Sequence, residues 1–153
     1  MSANPSRGPR TGAPGARPRA FDADSRLRVL WYWTPVVLYM AVIFVGSSIS
    51  KLPDIPGGFS DKTAHACEYA VLGLLLLRAF AGRRWLSPPF GLVVLAVSLA
   101  ALFGVSDEFH QLFVPGRDFD VHDMVADALG ASIGAGTPWA WGIIRRFFRV
   151  RSR

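Results

Sequence analysis

The chain alternates long apolar runs with short polar ones. Charge is absent from Val29 to Ser50 and from Pro88 to Val105; it is limited to Glu68 and Arg78 between Ala64 and Ala81, and to Asp127 between Met124 and Ile144. Each run approaches the roughly 17 to 25 residues that cross a hydrocarbon layer about 30 Å thick. A soluble helical bundle would repeat a polar stripe on every helix, and neither LWYWTPVVLYMAVIFVG nor PPFGLVVLAVSLAALFGV has one. The pattern predicts an all-α, polytopic membrane protein with four transmembrane helices. They fall at about Val29 to Ser48, from Asp61 or Lys62 to about Phe80, from Pro88 to Val105 with an extension through Gln111, and from Asp120 or His122 onward.

Local signals sharpen these limits. Pro53, Pro56 and the paired Gly57 and Gly58 predict a turn-rich external loop after the first helix. Pro88 and Pro89 suit a helix start, and Pro115 with Gly116 supplies a turn before the fourth helix. Trp31, Tyr32 and Trp33, and later Trp139 and Trp141, are suited to headgroup depth. Ala126, Gly130 and Gly134 recur every four residues, which permits close approach between helices or between protomers, so a homo-oligomer is a candidate assembly. Residues 1–24, rich in Pro, Gly, Arg and Ala, are expected to form a disordered cationic leader. Residues 25–146 then form the four-helix membrane domain and 147–153 a basic cytoplasmic tail.

Charge adds orientation. The net charge is +6, but fourteen of the 17 Lys and Arg residues fall before the first helix, between the second and third, and after the fourth. Four crossings put all three groups on one side, which the excess of positive charge on cytoplasmic loops assigns to the cytoplasm, with both termini. Topology and contact with anionic membrane lipids explain these residues better than nucleic acid does, so no nucleic-acid partner is expected. The 153 residues leave room for one domain. The single cysteine, Cys67, has no internal disulfide partner and is expected to be a packing residue.

The chemistry is concentrated in two clusters. The larger, Ser106 to Asp127, carries Asp107, Glu108, His110, Gln111, Arg117, Asp118, Asp120, His122, Asp123 and Asp127; the smaller carries Asp61, Lys62, His65, Glu68 and Tyr69. Alternating crossings bring both to the non-cytoplasmic side, where they are expected to form one site. His65 is the proton-transfer candidate because its ordinary titration lies near neutrality, with Asp107, Glu108 or Asp123 to orient it or to act as base. Lys62 and Arg117 are suited to hold phosphate oxygens; alternatively, Arg117 pairs with Asp118 or Asp120. Asp61, His65, Glu68 and Leu72 follow steps of four, three and four on one helical face, and Asp61, Glu68 and Asp127 are read as supporting groups. Glu68 and Asp127 can equally serve as internal helix-to-helix hydrogen bonds. No spacing is diagnostic of a metal, although Asp107, Glu108, Asp123 and Asp127 offer the oxygens that a divalent ion such as magnesium prefers.

SDKTAHACEYAVLG, from Ser60 to Gly73, and DEFHQLFVPGR, from Asp107, with Asp123, Gly130 and Gly134 after it, resemble the motifs of the VanZ-like family of bacterial integral membrane proteins. The resemblance covers the membrane core. It implies an envelope-associated protein of the bacterial inner (cytoplasmic) membrane, in a family named for resistance to the glycopeptide teicoplanin. It also implies that Tyr69 and Gln111 belong to the site beside Lys62 and Arg117, although packing is the plainer reading of Tyr69. Asp127 stands where many relatives are expected to carry Asn. The reading reached is an enzyme acting on a phosphorylated or glycosylated envelope lipid and contributing to glycopeptide tolerance. The alternative is a noncatalytic lipid-binding, transport or envelope-complex modulating protein.

Overall fold

The computed structural model describes residues 23–50 and 60–151. In it the apolar runs are helices: α1 Ala23–Ser47, α2 Asp61–Ala81, α3 Phe90–Gln111 and α4 Val121–Arg151, with a short 3-10 turn at Gly82–Arg84. The leader up to residue 22, the external loop over 51–59 and residues 152–153 lie outside the described residues. α1 begins earlier than its apolar run, taking in Ser25 to Arg28 and, before them, residues 23 and 24, which were expected to belong to the disordered leader. α4 continues through Arg146 to Arg151, so most of the expected tail is helical.

Local chemistry sets the ends. Ser60 caps α2, its hydroxyl accepting from the Thr63 amide at 3.3 Å, and Asp61 follows in the first turn where a negative charge suits the helix dipole. Gly82 closes α2 at a φ of 54°, a conformation that a side chain would strain. Gly116, at a φ of 82°, does the same work in the turn between α3 and α4.

Helices α1, α2 and α3 are long and apolar enough to cross a membrane. Helix α4 falls short of that description because its stretch between Asp127 and Arg145 is built largely of Gly, Ala, Ser, Thr, Pro and Trp, which are less apolar than the Val, Leu and Ile of the other three. Yet α4 lies parallel to α2 along most of α2's length, from Asp123 beside Lys62 to Gly142 against Leu86 and Ser87. Between those points the backbones nearly touch: a Cβ on Gly130 or Gly134 would run into the carbonyls of Ala66 and Ala70, and one on Gly73 would lie 2.6 Å from the Ala131 oxygen. The small-residue face expected to serve close approach is therefore used inside the chain, and it no longer argues for association between protomers. Leu72, Leu76, Leu77, Ala96, Ala100 and Ala135 fill the remaining interior. Helix α1 is the outlying member, with Val37, Leu38, Val42 and Val45 all exposed. Such faces suit contact with lipid tails.

Candidate functional site

The end of α1, the start of α2, the end of α3 and the start of α4 meet at one end of the bundle. Four carboxylates are buried there: Asp107, Glu108, Asp123 and Asp127, none more than 6% exposed. Buried charge is costly unless it is paired and hydrogen-bonded, and a chain of contacts meets that requirement. Ser47 donates its hydroxyl to Asp107 at 2.6 Å. Gln111, one turn after Asp107, donates its amide to Asp107 at 3.2 Å and to Glu108 at 3.3 Å. Glu108 in turn accepts the backbone N–H of Asp120 at 3.0 Å, which ties the α3–α4 turn back onto α3.

From there the network crosses to α2. The Lys62 ammonium donates to Asp120 at 2.6 Å and to Asp123 at 2.8 Å. One step along the same helix, His65 lies 3.0 Å through Nδ1 from Asp127 and 3.9 Å through Nε2 from Asp123. A carboxylate only accepts, so Nδ1 carries a proton, and in the neutral ring Nε2 is the nitrogen with the lone pair. Asp127 owes its place to Gly104: a Cβ there would lie 2.6 Å from Asp127 Oδ2 and 3.2 Å from the Tyr69 ring. Outside the helices, the Lys62 ammonium and then the amide and ring of His122 hold the Asp120 carboxyl below the usual carboxylate range.

The two sequence clusters thus share one end of the bundle, but their members do different things. Lys62, His65, Asp123 and Asp127 form a contiguous group, and Asp107, Glu108 and Gln111 form a second group that fastens α3 to α1 and to the following turn. Asp61 is exposed beside the first group. Tyr69 is in the core, its hydroxyl buried and without a hydrogen-bond partner among the described residues. Its ring and the Asp127 carboxylate both pack against Gly104. Glu68 was expected on the same face as His65; the buried stripe instead runs through His65, Tyr69, Leu72 and Leu76, and Glu68 is exposed on the flank. Arg117 is half-buried, and neither Asp118 nor Asp120 forms an ion pair with it; its Nε is buried without a hydrogen-bond partner among the described residues. His110 stacks on Phe44 at 4.1 Å and meets Ser48 at 2.9 Å, joining α3 to α1.

Sequence reasoning missed Ser47, Asp120 as the acceptor of Lys62, and Gly104. Ser47 sits at the end of a charge-free run, at the depth of Asp107, and that shared depth was its only signal. Gly104, one glycine among apolar residues, gave none.

The expected oxygen set for a divalent ion is divided by the fold, since Asp107 and Glu108 are committed to Gln111 and Asp120. A different set converges. One ligand atom each from Asp61, His65 and Asp123 lies within 4.8 Å of the others. Asp127 behind His65 supplies the carboxylate that commonly orients a metal-binding imidazole. Lys62 already holds one oxygen of Asp123, so an ion would have to share that carboxylate with an ammonium.

The family model described as VanZ/LLP1 matches residues 25–144. The uncharacterized protein C11E3.10 of Schizosaccharomyces pombe is 26% identical over 98 residues, covering 64% of this chain and 58% of the relative. The chain therefore spans less than two thirds of that relative's length. No solved structure matches.

Proposed function

The chain belongs to the VanZ/LLP1 family, and from that premise and the geometry of the polar end we propose that it is a four-crossing membrane enzyme acting on the phosphate-bearing headgroup of a membrane lipid. The observation that carries the reading is the His65–Asp127 pair. A buried carboxylate holds Nδ1–H at 3.0 Å, and in the neutral ring this leaves Nε2, 3.9 Å from Asp123, to take a proton. In a hydrolysis, a water molecule's oxygen attacks phosphorus while its proton passes to Nε2; the leaving alkoxide then takes that proton, and Asp127 stabilises the imidazolium in between. Lys62 has three ammonium donors, two of them engaged by Asp120 and Asp123, which leaves one for a phosphate oxygen. Arg117, unpaired among the described residues, is the second anion contact. If a divalent ion binds, Asp61, His65 and Asp123 hold it and it supplies charge for the phosphate oxygens.

Topology follows from α4 lying along α2, which supports a fourth crossing although its composition is less apolar. The arginine-rich groups support both termini in the cytoplasm. In a bacterium this is the inner membrane, with the polar end facing the envelope. A relative in fission yeast favours a chemistry that bacterial and fungal membranes share, and a headgroup phosphate is one. A contribution to glycopeptide tolerance would be a downstream effect in envelope-bearing cells.

The test is turnover by purified full-length protein on a membrane lipid extract, read by lipid mass spectrometry, together with lipid profiles of cells carrying a deletion or His65→Ala. Expected is one species that accumulates in both strains and is converted by the wild-type protein. No conversion, with unchanged profiles, contradicts the reading. One observation favours a second, noncatalytic reading, in which the polar end binds lipid or modulates an envelope assembly: Lys62 is well satisfied by two carboxylates and serves as a staple between α2 and α4. Retention of a lipid without conversion would select it.

A further inference from the structure

At the other end of the bundle, an open groove of about 680 Å³ lies between the α2–α3 connection and the last turns of α4. Its volume is in the range of roughly 300 to 1,000 Å³ common to small-molecule sites. Arg83 and Arg84 reach it from one side and Arg146 from the other, more than sixty residues later in the chain. No Asp or Glu lines it, and among the described residues no ion pair involves these three arginines. The contrast with Arg78 is informative, because its guanidinium lies 5.0 Å from the centre of the Tyr32 ring.

The rest of the groove is apolar and exposed. Leu86, Phe90 and Ile143 are each at least 40% exposed, and Phe90 leans on Trp139 with ring centres 5.3 Å apart. The groove has a floor as well: Gly142 packs so closely on the chain at Leu86 and Ser87 that a Cβ would lie 2.9 Å from the Ser87 hydroxyl. Three cations beside an apolar rim at the end of a membrane-length helix pair are complementary to an amphiphile. A free anion would use only the cations, leaving the aromatic and aliphatic wall without an occupant.

We propose that this groove is a binding site for a phospholipid whose headgroup carries two or more negative charges, the phosphates held by Arg83, Arg84 and Arg146 and an acyl chain lying along Leu86, Phe90 and Ile143. Guanidinium forks suit phosphate oxygens. Nothing in this site depends on the acid–base chemistry of the opposite end.

The test is native mass spectrometry of full-length protein in detergent, offered phosphatidylcholine, phosphatidic acid and cardiolipin. Two triple variants are compared: R83Q/R84Q/R146Q in the groove, and R26Q/R28Q/R145Q, which removes equal charge outside it. Wild-type protein is expected to retain phosphatidic acid and cardiolipin in preference to phosphatidylcholine, and the groove variant to lose on the order of fivefold in retention for each arginine removed. The control variant should behave as wild type. Equal losses in both variants would reduce the effect to surface charge and overturn the site. Displacement of the lipid by inorganic phosphate alone would overturn the lipid as occupant. If the triple variant fails to fold, single substitutions at the same arginines read the loss one at a time.

Discussion

The two ends of the bundle carry charge in opposite ways. At the polar end, carboxylates are buried and hydrogen bonds link helix to helix, so the charges are part of what holds the chain together. At the arginine end, the cations of the groove are exposed and unpaired among the described residues, and the backbone segments that carry them meet at Gly142. Substitutions at the first end should therefore disturb both position and chemistry, whereas substitutions at the second should change affinity and leave the fold alone.

The largest effect expected is at His65 and Asp127. Asp127→Asn lets Nδ1 lose its anionic partner and frees the wrong tautomer, and the turnover assay should fall by roughly 10² to 10⁴-fold, with lipid retention at the arginine groove unchanged. A sharper version leaves every polar group in place. In Gly104→Ala the new methyl group meets the Asp127 carboxylate at 2.6 Å, and displacement of a catalytic group by about 1 Å is expected to cost roughly 10²-fold in turnover. Normal activity in this variant would show that the dyad's geometry is not what matters.

Much of this arrangement is visible in the sequence, and its limits have a physical cause. Long charge-free runs and proline-bounded turns foretell four helices and bring two polar clusters to one end. Spacing, however, reports only which side chains share a face of their own helix. It cannot say which helix lies opposite. Hence the spacing of three and four between Asp120, Asp123 and Asp127 is visible in the sequence, but the division of their partners between Lys62 and His65 is not. For the same reason Glu68 was assigned with His65, whereas the true interior stripe passes through Tyr69. The glycines of α4 announced close approach without announcing that α2 is the neighbour.

That neighbour gives the next effect in size. Gly134→Ala drives a methyl group into the Ala70 carbonyl of α2, and overpacking of this kind costs about 1 to 3 kcal/mol. Thermal unfolding in detergent should show the loss, and both ends of the molecule should weaken together, since α4 carries residues of each. The smallest effect concerns pH. The Asp120 carboxyl is held below its usual range by Lys62 and His122, so its stabilising contribution is fully present above the unfolded carboxylate value and is lost as pH falls through the lower folded one. The difference in melting temperature between wild type and Asp120→Asn should therefore shrink as pH falls below about 4.

The most direct measurement is nitrogen NMR of His65 in full-length protein labelled at histidine, in lipid nanodiscs, with the resonance assigned by His65→Gln. The account predicts, for the neutral ring, a proton on Nδ1, a bare Nε2, and a change in both shifts in Asp127→Asn. A proton on Nε2 with Nδ1 bare, or shifts indifferent to Asp127→Asn, would contradict it.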